Sequence, residues 1–400
     1  MSNFRRENLS NFHKTKVRKA EVRRQTCQMS NTKYQIPKEK RQNLIHLKMK
    51  YFIKKSFIPS LILCCMLFFF ACGESEGPTV PGAGGNPLAG AYVLYGTAGS
   101  TDYAYYDAVK DSVTDYVFTS SNPGRSLNIN PGEIKLNSDR KLYITALGMP
   151  GGNGTIYKID PIGNNVIDSL RFGSAPDGFA INNNRIVVGN SGSTNVTVLD
   201  LDFNIIKDTV EVGSNPANVL YGFNKYIVTR SALNNEPSAA FIDEISYGVV
   251  KLFFPHVPVS AIYNINGIFL STNLNKNIYR VDPETITTTD SFVVPTVFSS
   301  IEELVFRSQN SFYAVIGQRE VWLGNISSGT ISFTNIYPAQ LNWNIRSAAY
   351  ESNANELYLG VHDASTGFSF LVIIDGTSGT VKRTKTLLGL GPAGIVFRYF

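Results

Sequence analysis

From residue 91 to the C-terminus, short apolar runs alternate with clusters of polar turn residues. The runs are rich in β-branched and aromatic residues, as in AYVLYG, LYITAL, IVVGN, YIVTR, IFLST and LYLGV. The clusters between them include NSDR, NNNR, NING and SNANE. Because no stretch of this region has helical periodicity, the pattern predicts an all-β domain.

The strands belong to a repeat of about 40 residues. The stretch GTIYKIDPIGNNVIDSLRFGSAPDGFAINNNRIVVGNS overlays the stretch that follows it, so that Asp160 falls on Asp200 and Pro176 on Pro216. A period of this length with four strands per unit is typical of a β-propeller. We name the strands of a unit a to d, from the inside of the blade outwards.

Two independent counts predict seven blades. The residue that ends strand c recurs as Asp107, Asp160, Asp200, Asp243, Asp282, Asn325 and Asp375. Strand a recurs near Ile134, Phe179, Val219, Ala261, Leu304, Ala348 and Val396. The last strand a has no strands after it, and the first run, AYVLYG, has no strand a before it. We therefore expect one blade to be closed by one C-terminal strand and three N-terminal strands, which leaves no open edge.

The repeat also explains most of the conspicuous turn residues. FGSAPDG (172–178), VGSNPAN (212–218) and GLGPAG (389–394) predict the turn from strand d to the next strand a. The recurring aspartates are expected to cap the c–d turns, and GMPGGNG (148–154) is expected to be a b–c loop rather than a phosphate loop. Asp177 stands where the next unit has Ala217, so the repeat does not account for it.

A predicted export signal precedes the repeats. Basic residues beginning at Lys50 are followed by an apolar run from Phe57 to Ala71 and then by Cys72, which is typical of a secretory signal at 49–71. Residues 72–90, rich in Gly and Pro, are expected to be a flexible tether, and 91–400 the propeller. Residues 1–48 read as a mis-assigned start, with a basic cytosolic arm as the alternative; an uncleaved signal anchor is the alternative to cleavage.

Charge and cysteine use agree with export. Residues 1–48 carry 13 Lys and Arg against 3 Asp and Glu, whereas residues 73–400 carry 21 against 28, a net charge of −7. This acidic balance argues against nucleic acid as a partner. No cysteine follows Cys72, so the exported part has no disulfide or cysteine metal site.

Three resemblances extend the prediction. Tyr143-Ile144-Thr145, Val198-Leu199-Asp200 and Gly213-Ser214-Asn215-Pro216 resemble the Tyr-Val-Thr-Asn family of bacterial propeller repeats. LFFFAC, ending at Cys72, resembles the bacterial lipoprotein signal, which implies a lipid anchor on that cysteine. Glu74 and Glu76 resemble the export tags of Bacteroidetes-type surface lipoproteins. Together these imply a lipoprotein of the outer membrane, at the cell surface or on the periplasmic side.

Candidate binding residues lie in the d–a turns and b–c loops, which share the face at the mouth of the central channel. They are Arg125, Asp177, Asn190, Asn195, Arg230, Asn234, His256, Asn273, Arg319, Trp343, His362 and Asp363. Amide, guanidinium, imidazole and indole groups are suited to hydrogen-bonded recognition of a polar ligand or a protein partner. A solvated loop face without a specific ligand is the alternative.

The sequence indicates binding rather than catalysis. It has no nucleophile elbow, no histidine metal pair and no matched acid and base, so we predict no catalytic residue, no metal site and no cofactor. The resemblance to surface propellers implies nutrient capture, for example of cobalamin beside an outer-membrane transporter. An envelope scaffold or adhesion protein, a lactonase-like hydrolase and a quinoprotein-like enzyme remain alternatives.

Overall fold

The computed structural model describes residues 86–149, 151–231 and 236–400. The signal, Cys72, Asn234 and most of the predicted tether lie outside these residues. The strands of the first half are β1 (Leu88–Gly96), β2 (Thr101–Asp107), β3 (Ser112–Thr114), β4 (Pro131–Leu136), β5 (Leu142–Ala146), β6 (Gly154–Asp160), β7 (Asn165–Phe172), β8 (Pro176–Asn182), β9 (Arg185–Asn190), β10 (Asn195–Asp200), β11 (Ile205–Glu211), β12 (Pro216–Gly222), β13 (Lys225–Arg230) and β14 (Ser238–Asp243). Those of the second half are β15 (Val249–Phe253), β16 (Pro258–Asn264), β17 (Gly267–Thr272), β18 (Asn277–Asp282), β19 (Thr287–Val293), β20 (Ile301–Ser308), β21 (Ser311–Ile316), β22 (Glu320–Ser327), β23 (Thr330–Tyr337), β24 (Trp343–Glu351), β25 (Glu356–Asp363), β26 (Ser369–Asp375), β27 (Val381–Leu387) and β28 (Leu390–Tyr399).

The strands form seven four-stranded antiparallel sheets arranged in a ring. Blade 1 has the order β28-β1-β2-β3, and blades 2 to 7 are β4–β7, β8–β11, β12–β15, β16–β19, β20–β23 and β24–β27. The predicted seven-bladed propeller is confirmed, and so is its closure by one C-terminal and three N-terminal strands. β1 begins at Leu88, slightly earlier than the apolar pattern predicted.

The core lies between neighbouring blades rather than within any one of them. Val187 and Val198 of blade 3 pack with Val219 and Val228 of blade 4, for example, and all four are buried. Hydrogen bonds cross the same boundaries, since the Tyr92 hydroxyl donates to the carbonyl of Pro161 at 2.7 Å. Each blade therefore buries its apolar faces only when both neighbours are present.

Every innermost strand carries a bulge near its start. The register with the second strand shifts after Pro131, Pro176, Pro216 and Pro258, the residues that open four of these strands. The corresponding shifts in the other three blades follow Ile301, Ile345 and Leu390. A bulge leaves one or two residues outside the ladder and re-aims their side chains, here at the same place in all seven blades.

The recurring aspartates cap the c–d turns, as predicted. The Asp375 carboxylate accepts the backbone N–H groups of Thr377 and Ser378 at 3.0 and 2.9 Å, and these bonds lower its pKa to about 2. Equivalent bonds hold the pKa of Asp243 and Asp282 below the usual range. Asn325 is the exception, because β22 continues past it to Ser327.

The long first step of the repeat holds an insertion. A helix of five residues, α1 (Val117–Ser121), lies between β3 and β4. The buried Asp102 carboxylate accepts the Phe118 N–H at 3.0 Å and the Thr119 hydroxyl at 2.5 Å, which fixes α1 against β2. Within the described residues, no helix has the length and apolarity needed to cross a membrane.

Ring closure gives a direct stability prediction. Phe397 of β28 is 6% exposed and packs edge-to-face on Tyr358 of blade 7, with ring centroids 5.0 Å apart. Phe397→Ala leaves a cavity at this boundary, and we expect the free energy of unfolding to fall by about 3 kcal/mol in urea titrations.

Phe400→Ala is the matched control. Phe400 is 64% exposed, so this change is expected to alter stability by less than about 0.5 kcal/mol. Equal effects of the two substitutions would contradict closure through β28.

Candidate functional site

A cavity of about 300 Å³ lies inside the ring of innermost strands. Six of these seven strands line it: β4, β12, β16, β20, β24 and β28. The d–a connections and b–c loops lie on one face of the propeller, and the residues that follow each d–a connection lead from that face into the cavity. We call this face the channel-mouth face and the cavity the channel cavity.

Charged side chains line the channel cavity from three strands. They are Glu133 and Lys135 of β4, Glu302 and Glu303 of β20, and Arg346 of β24. Asp177 of β8 does not line the cavity, but its carboxyl group is affected by the charge of Glu133. Glu133, Asp177, Glu302 and Arg346 lie within the bulge of their strand. Glu303 is the first residue after the bulge of β20 and pairs with Val315. A residue in a bulge is not paired with the neighbouring strand, so its side chain points in a different direction from that of a residue in a regular ladder.

Glu133 and Lys135 form an ion pair, and both also bond to the backbone of the next inner strand, β8. The Lys135 ammonium lies 2.8 Å from the Glu133 carboxylate and also donates to the carbonyl of Phe179. The other Glu133 oxygen accepts the N–H of Phe179 at 2.6 Å. This pair therefore links blade 2 to blade 3 and keeps one carboxylate charge inside the channel.

Asp177 and Glu303 are enclosed by protein and face the same charge. Each residue keeps some contact with water and is otherwise surrounded by protein. Burial, with the neighbouring Glu133 carboxylate, raises the pKa of Asp177 to about 7. Burial and the same neighbour raise the pKa of Glu303 to about 8. Both groups thus titrate near neutral pH, as groups at binding and catalytic sites often do.

Glu302 and Arg346 meet at Gln318 on the rim of the cavity. Glu302 accepts the Ser300 hydroxyl at 2.5 Å and the Gln318 N–H at 3.1 Å, and burial raises its pKa. The exposed Arg346 guanidinium reaches the Gln318 side chain at 3.5 Å. Arg346 thus stands at the entrance, with its charge toward solvent.

Three of the predicted residues come together at the end of blade 7. Trp343 lies opposite Asp363 in the ladder and stacks on Phe370 at 5.6 Å between ring centroids. The next position pairs Asn344 with His362, whose Nδ1 lies 3.4 Å from the Ser369 hydroxyl. Asp363 caps its own loop through the N–H and hydroxyl of Ser365, which lower its pKa.

Arg230 and Asn190 lie inside the blades rather than on the face. Arg230 is fully buried and donates to the carbonyls of Val212, Gly213 and Ser238. Asn190 is 1% exposed and donates to Asn195 at 2.7 Å. Arg230 bonds to the start of a d–a turn, and Asn190 bonds within a b–c loop. Because both side chains are buried by these contacts, neither is accessible to a ligand.

The remaining predicted residues are spread around the face. Arg125 is exposed in the β3–β4 connection and His256 half-buried in the β15–β16 connection, while Asn273 and Arg319 lie in the β17–β18 and β21–β22 loops. Each of the four lies on a different connection. Asn234 falls outside the described residues.

The face also carries exposed apolar side chains that the sequence prediction did not include. Those around the d–a connections and b–c loops are Met149, Phe253, Leu274, Val293, Val297, Leu341, Phe368, Leu388 and Leu390. Exposed apolar side chains also lie at turns of the opposite face, for example Ile162, Ile245 and Ile265. The channel-mouth face is mixed in character: a charged centre with apolar groups around it.

Sequence reasoning missed all the charged residues that line the channel cavity. It selected Asp177 because the repeat left it unexplained, but not Glu133, Lys135, Glu302, Glu303 or Arg346. Comparing the first residues of strand a across all seven units would have found them, because each occupies nearly the same repeat position. Among the described residues, no group of three or more His, Cys, Asp or Glu side chains is placed to hold a metal ion.

The burial of Arg230 predicts a structural role. Arg230→Ala leaves three carbonyls without their donor, and we expect the free energy of unfolding to fall by about 3 kcal/mol. Arg319→Ala, on a b–c loop, is the matched control and is expected to change it by less than about 0.5 kcal/mol. Denaturant titration of both variants measures this; an unchanged stability for Arg230→Ala would contradict the assignment.

The raised pKa values of Asp177 and Glu303 predict that the stability of the fold depends on pH in an unusual direction. Their pKa values in the folded protein exceed the value of about 4 in an unfolded chain, so the folded state binds more protons between about pH 4 and pH 8. Stability is therefore expected to fall as the pH rises across this window. The double substitution Asp177→Asn and Glu303→Gln is expected to flatten the decline in melting temperature.

Glu284→Gln, at an exposed turn position, is the control and should leave the slope unchanged. If the melting temperature of the double variant declines as steeply as that of the wild type between pH 4.5 and 8.5, groups other than Asp177 and Glu303 cause the decline.

Comparisons with known proteins support the fold. No family model matches the chain, and no curated protein is similar to it in sequence. A quinoprotein alcohol dehydrogenase-like protein from Bacteroides thetaiotaomicron is similar in structure, with a TM-score of 0.61 and 15% identity over 78% of this chain and 79% of that one. A 6-phosphogluconolactonase-like protein from Bacteroides fragilis has a TM-score of 0.57 and 12% identity over 78% of this chain and 98% of that one. Its counterpart from Bacteroides uniformis has the same TM-score and identity, over 78% and 100%. At such identities the likeness extends to the fold alone: the chain is a seven-bladed β-propeller, similar in architecture to propellers of differing function.

Proposed function

We propose that this protein is an exported, lipid-anchored binding protein of the bacterial outer membrane, whose channel-mouth face binds a polar ligand or a protein partner at the cell surface. The observation that carries the proposal is the channel cavity. It is concave, and charged side chains from three different strands converge on it. Such convergence of polar groups in a preformed cavity is characteristic of ligand sites.

The position of the chain's entry into the propeller supports this orientation. Asn86 lies at the a–b turn of blade 7, where its carbonyl accepts a hydrogen bond from Asn353 at 3.0 Å. The a–b turns lie on the face opposite the channel mouth. A tether from Cys72 would therefore join the propeller on the far face and leave the channel-mouth face free to bind.

The exposed apolar side chains around the channel support a partner as well as a ligand. Phe253 and Phe368 are 65% and 56% exposed, and burial of such groups is a main source of affinity between proteins. An outer-membrane transporter is the partner that the lipoprotein resemblance implies. In that arrangement the channel cavity would present its ligand to the partner.

Acylation is tested by metabolic labelling. The chain beginning at Met49, produced in a Gram-negative host with an alkyne-labelled fatty acid, is expected to carry the label and to fractionate with the outer membrane. Cys72→Ser is expected to lose the label and the membrane association, with Cys64→Ser, inside the predicted signal, as the matched control. A label that survives Cys72→Ser would contradict the anchor.

Ligand capture is tested separately by thermal shift. We expect at least one of a panel of corrinoids, glycans, amino acids and metal ions to raise the melting temperature. Glu303→Gln, which changes a carboxyl group lining the channel cavity, should reduce that rise. Lactones belong in the panel as substrates, because turnover of a lactone by the purified protein would favour a hydrolase instead.

A further inference from the structure

The channel cavity has a carboxyl group in its wall that no cation of the fold neutralises. Glu303 of β20 lines the cavity and, in the part of the chain that the structure describes, forms no ion pair. Its carboxylate accepts the N–H of Ala348 in the next inner strand. Because a carboxylate can accept about four hydrogen bonds, Glu303 retains acceptor capacity at the cavity wall.

The two cations of the wall are engaged elsewhere. The Lys135 ammonium lies 2.8 Å from the Glu133 carboxylate. The Arg346 guanidinium is exposed at the rim, where it reaches the Gln318 side chain at 3.5 Å. Glu302, the third carboxyl group of the wall, is held by neutral donors only. The cavity therefore has more carboxyl groups than cations, and one of the cations faces solvent.

Neutral polar side chains of the wall add further acceptors. The Asn218 amide donates to the carbonyl of Val259 at 2.7 Å, and the Thr229 hydroxyl donates its only proton to the same carbonyl at 3.0 Å. The oxygens of both side chains remain acceptors. The Ser260 hydroxyl accepts the N–H of Leu304 at 3.0 Å and keeps its proton as a donor. A wall of this kind is suited to a ligand that donates hydrogen bonds and carries positive charge.

We propose that the channel cavity binds an organic ammonium ion, whose N–H groups donate to Glu303 and whose apolar part lies against the aliphatic side chains of the wall. These include Val219, Leu220, Leu304 and Ile345. The proposal rests on the proposed function, since it names the ligand class for the same cavity. An ammonium group supplies the countercharge that Glu303 lacks and up to three hydrogen-bond donors. The volume of about 300 Å³ is at the lower end of ligand pockets, which span about 300–1,000 Å³, and suits a small amine.

The affinity for an amine is expected to depend on the ionisation of Glu303. The other charged groups that line the cavity are Glu133, Lys135, Glu302 and Arg346, while β12, β16 and β28 contribute none and Asp177 lies outside the wall. Burial, with the charge of Glu133, raises the pKa of Glu303 to about 8. An alkylammonium group keeps its proton up to about pH 10. Glu303 is thus mostly neutral at pH 6 and mostly ionised at pH 8.5, so the affinity is expected to rise between these two values.

The test is a ligand-observed NMR titration of the purified chain beginning at Met49, in detergent, at pH 6 and pH 8.5. The probes are n-butylamine, 1-butanol, which has no charge, and butyrate, which has the opposite charge. Butylamine is expected to bind at least about ten-fold more tightly than butanol at pH 8.5, and at least about ten-fold more tightly at pH 8.5 than at pH 6. Butyrate is expected not to bind, and an equal concentration of potassium chloride is expected not to displace butylamine.

Variants assign the contact. Glu303→Gln keeps an oxygen for the N–H of Ala348 but removes the charge. It is expected to weaken butylamine at least about ten-fold at pH 8.5 and to abolish the difference between the two pH values. Glu284→Gln, at an exposed turn position, is the control and is expected to change the affinity less than about two-fold. Circular dichroism checks that each variant folds, and Glu303→Asp, which withdraws the carboxyl group by one methylene, takes the place of Glu303→Gln if that variant does not.

Several results would overturn the inference. These are no binding of butylamine, equal binding of butylamine and butanol, displacement by potassium, an affinity that does not change with pH, or full affinity in Glu303→Gln. If the amine fails while a corrinoid, a glycan or a protein partner binds the channel-mouth face, the proposed function stands and only this inference fails. If no ligand or partner binds and Cys72 carries no lipid, the proposed function fails with it.

Discussion

Closure of the ring is the constraint on which the rest of this structure depends. A single four-stranded blade has two apolar faces and cannot bury either one alone, so each blade is stable only between two neighbours. β28 completes blade 1 by pairing with β1, with Ala91 opposite Phe397 and Val93 opposite Ile395. Ion pairs reinforce the same boundary: Lys385 of blade 7 lies 2.8 Å from Asp111 of blade 1. The channel cavity exists because this closure holds the seven inner strands around one axis.

A β-bulge at the start of the inner strand recurs in every blade and positions side chains around the channel. The bulge at the start of each inner strand leaves residues outside the ladder at the channel mouth. Where those residues are charged, as with Glu302 and Arg346, their side chains line the channel cavity. Because the bulges lie at one level of the ring, side chains on distant parts of the chain become neighbours.

The pKa of an aspartate is shifted in opposite directions on the two faces of the propeller. At the c–d turn, backbone N–H groups stabilise the ionised carboxylate of Asp375 and lower its pKa to about 2. At the start of β8, enclosure by protein and the charge of Glu133 raise the pKa of Asp177 to about 7. Donors and solvent favour the charged form, whereas burial beside a like charge disfavours it. The aspartates that cap turns therefore lie on one face with lowered pKa values, and the acidic residue with a raised pKa lies toward the other face.

The sequence by itself determined the parts of this protein that repeat. Strand pattern, period, blade count, closure and the capping aspartates depend on local residues and short turns, and each recurs often enough for one unit to support the reading of the next. It also singled out Asp177 as the residue in its turn that the repeat leaves unexplained. Only the tertiary structure decided what surrounds each side chain. Arg230 and Asn190 resemble loop residues in sequence, yet neighbouring strands bury them. Glu133, Glu303 and Arg346 lie far apart in the chain and meet only because the ring closes, since burial and charge proximity depend on contacts between blades that no single repeat contains.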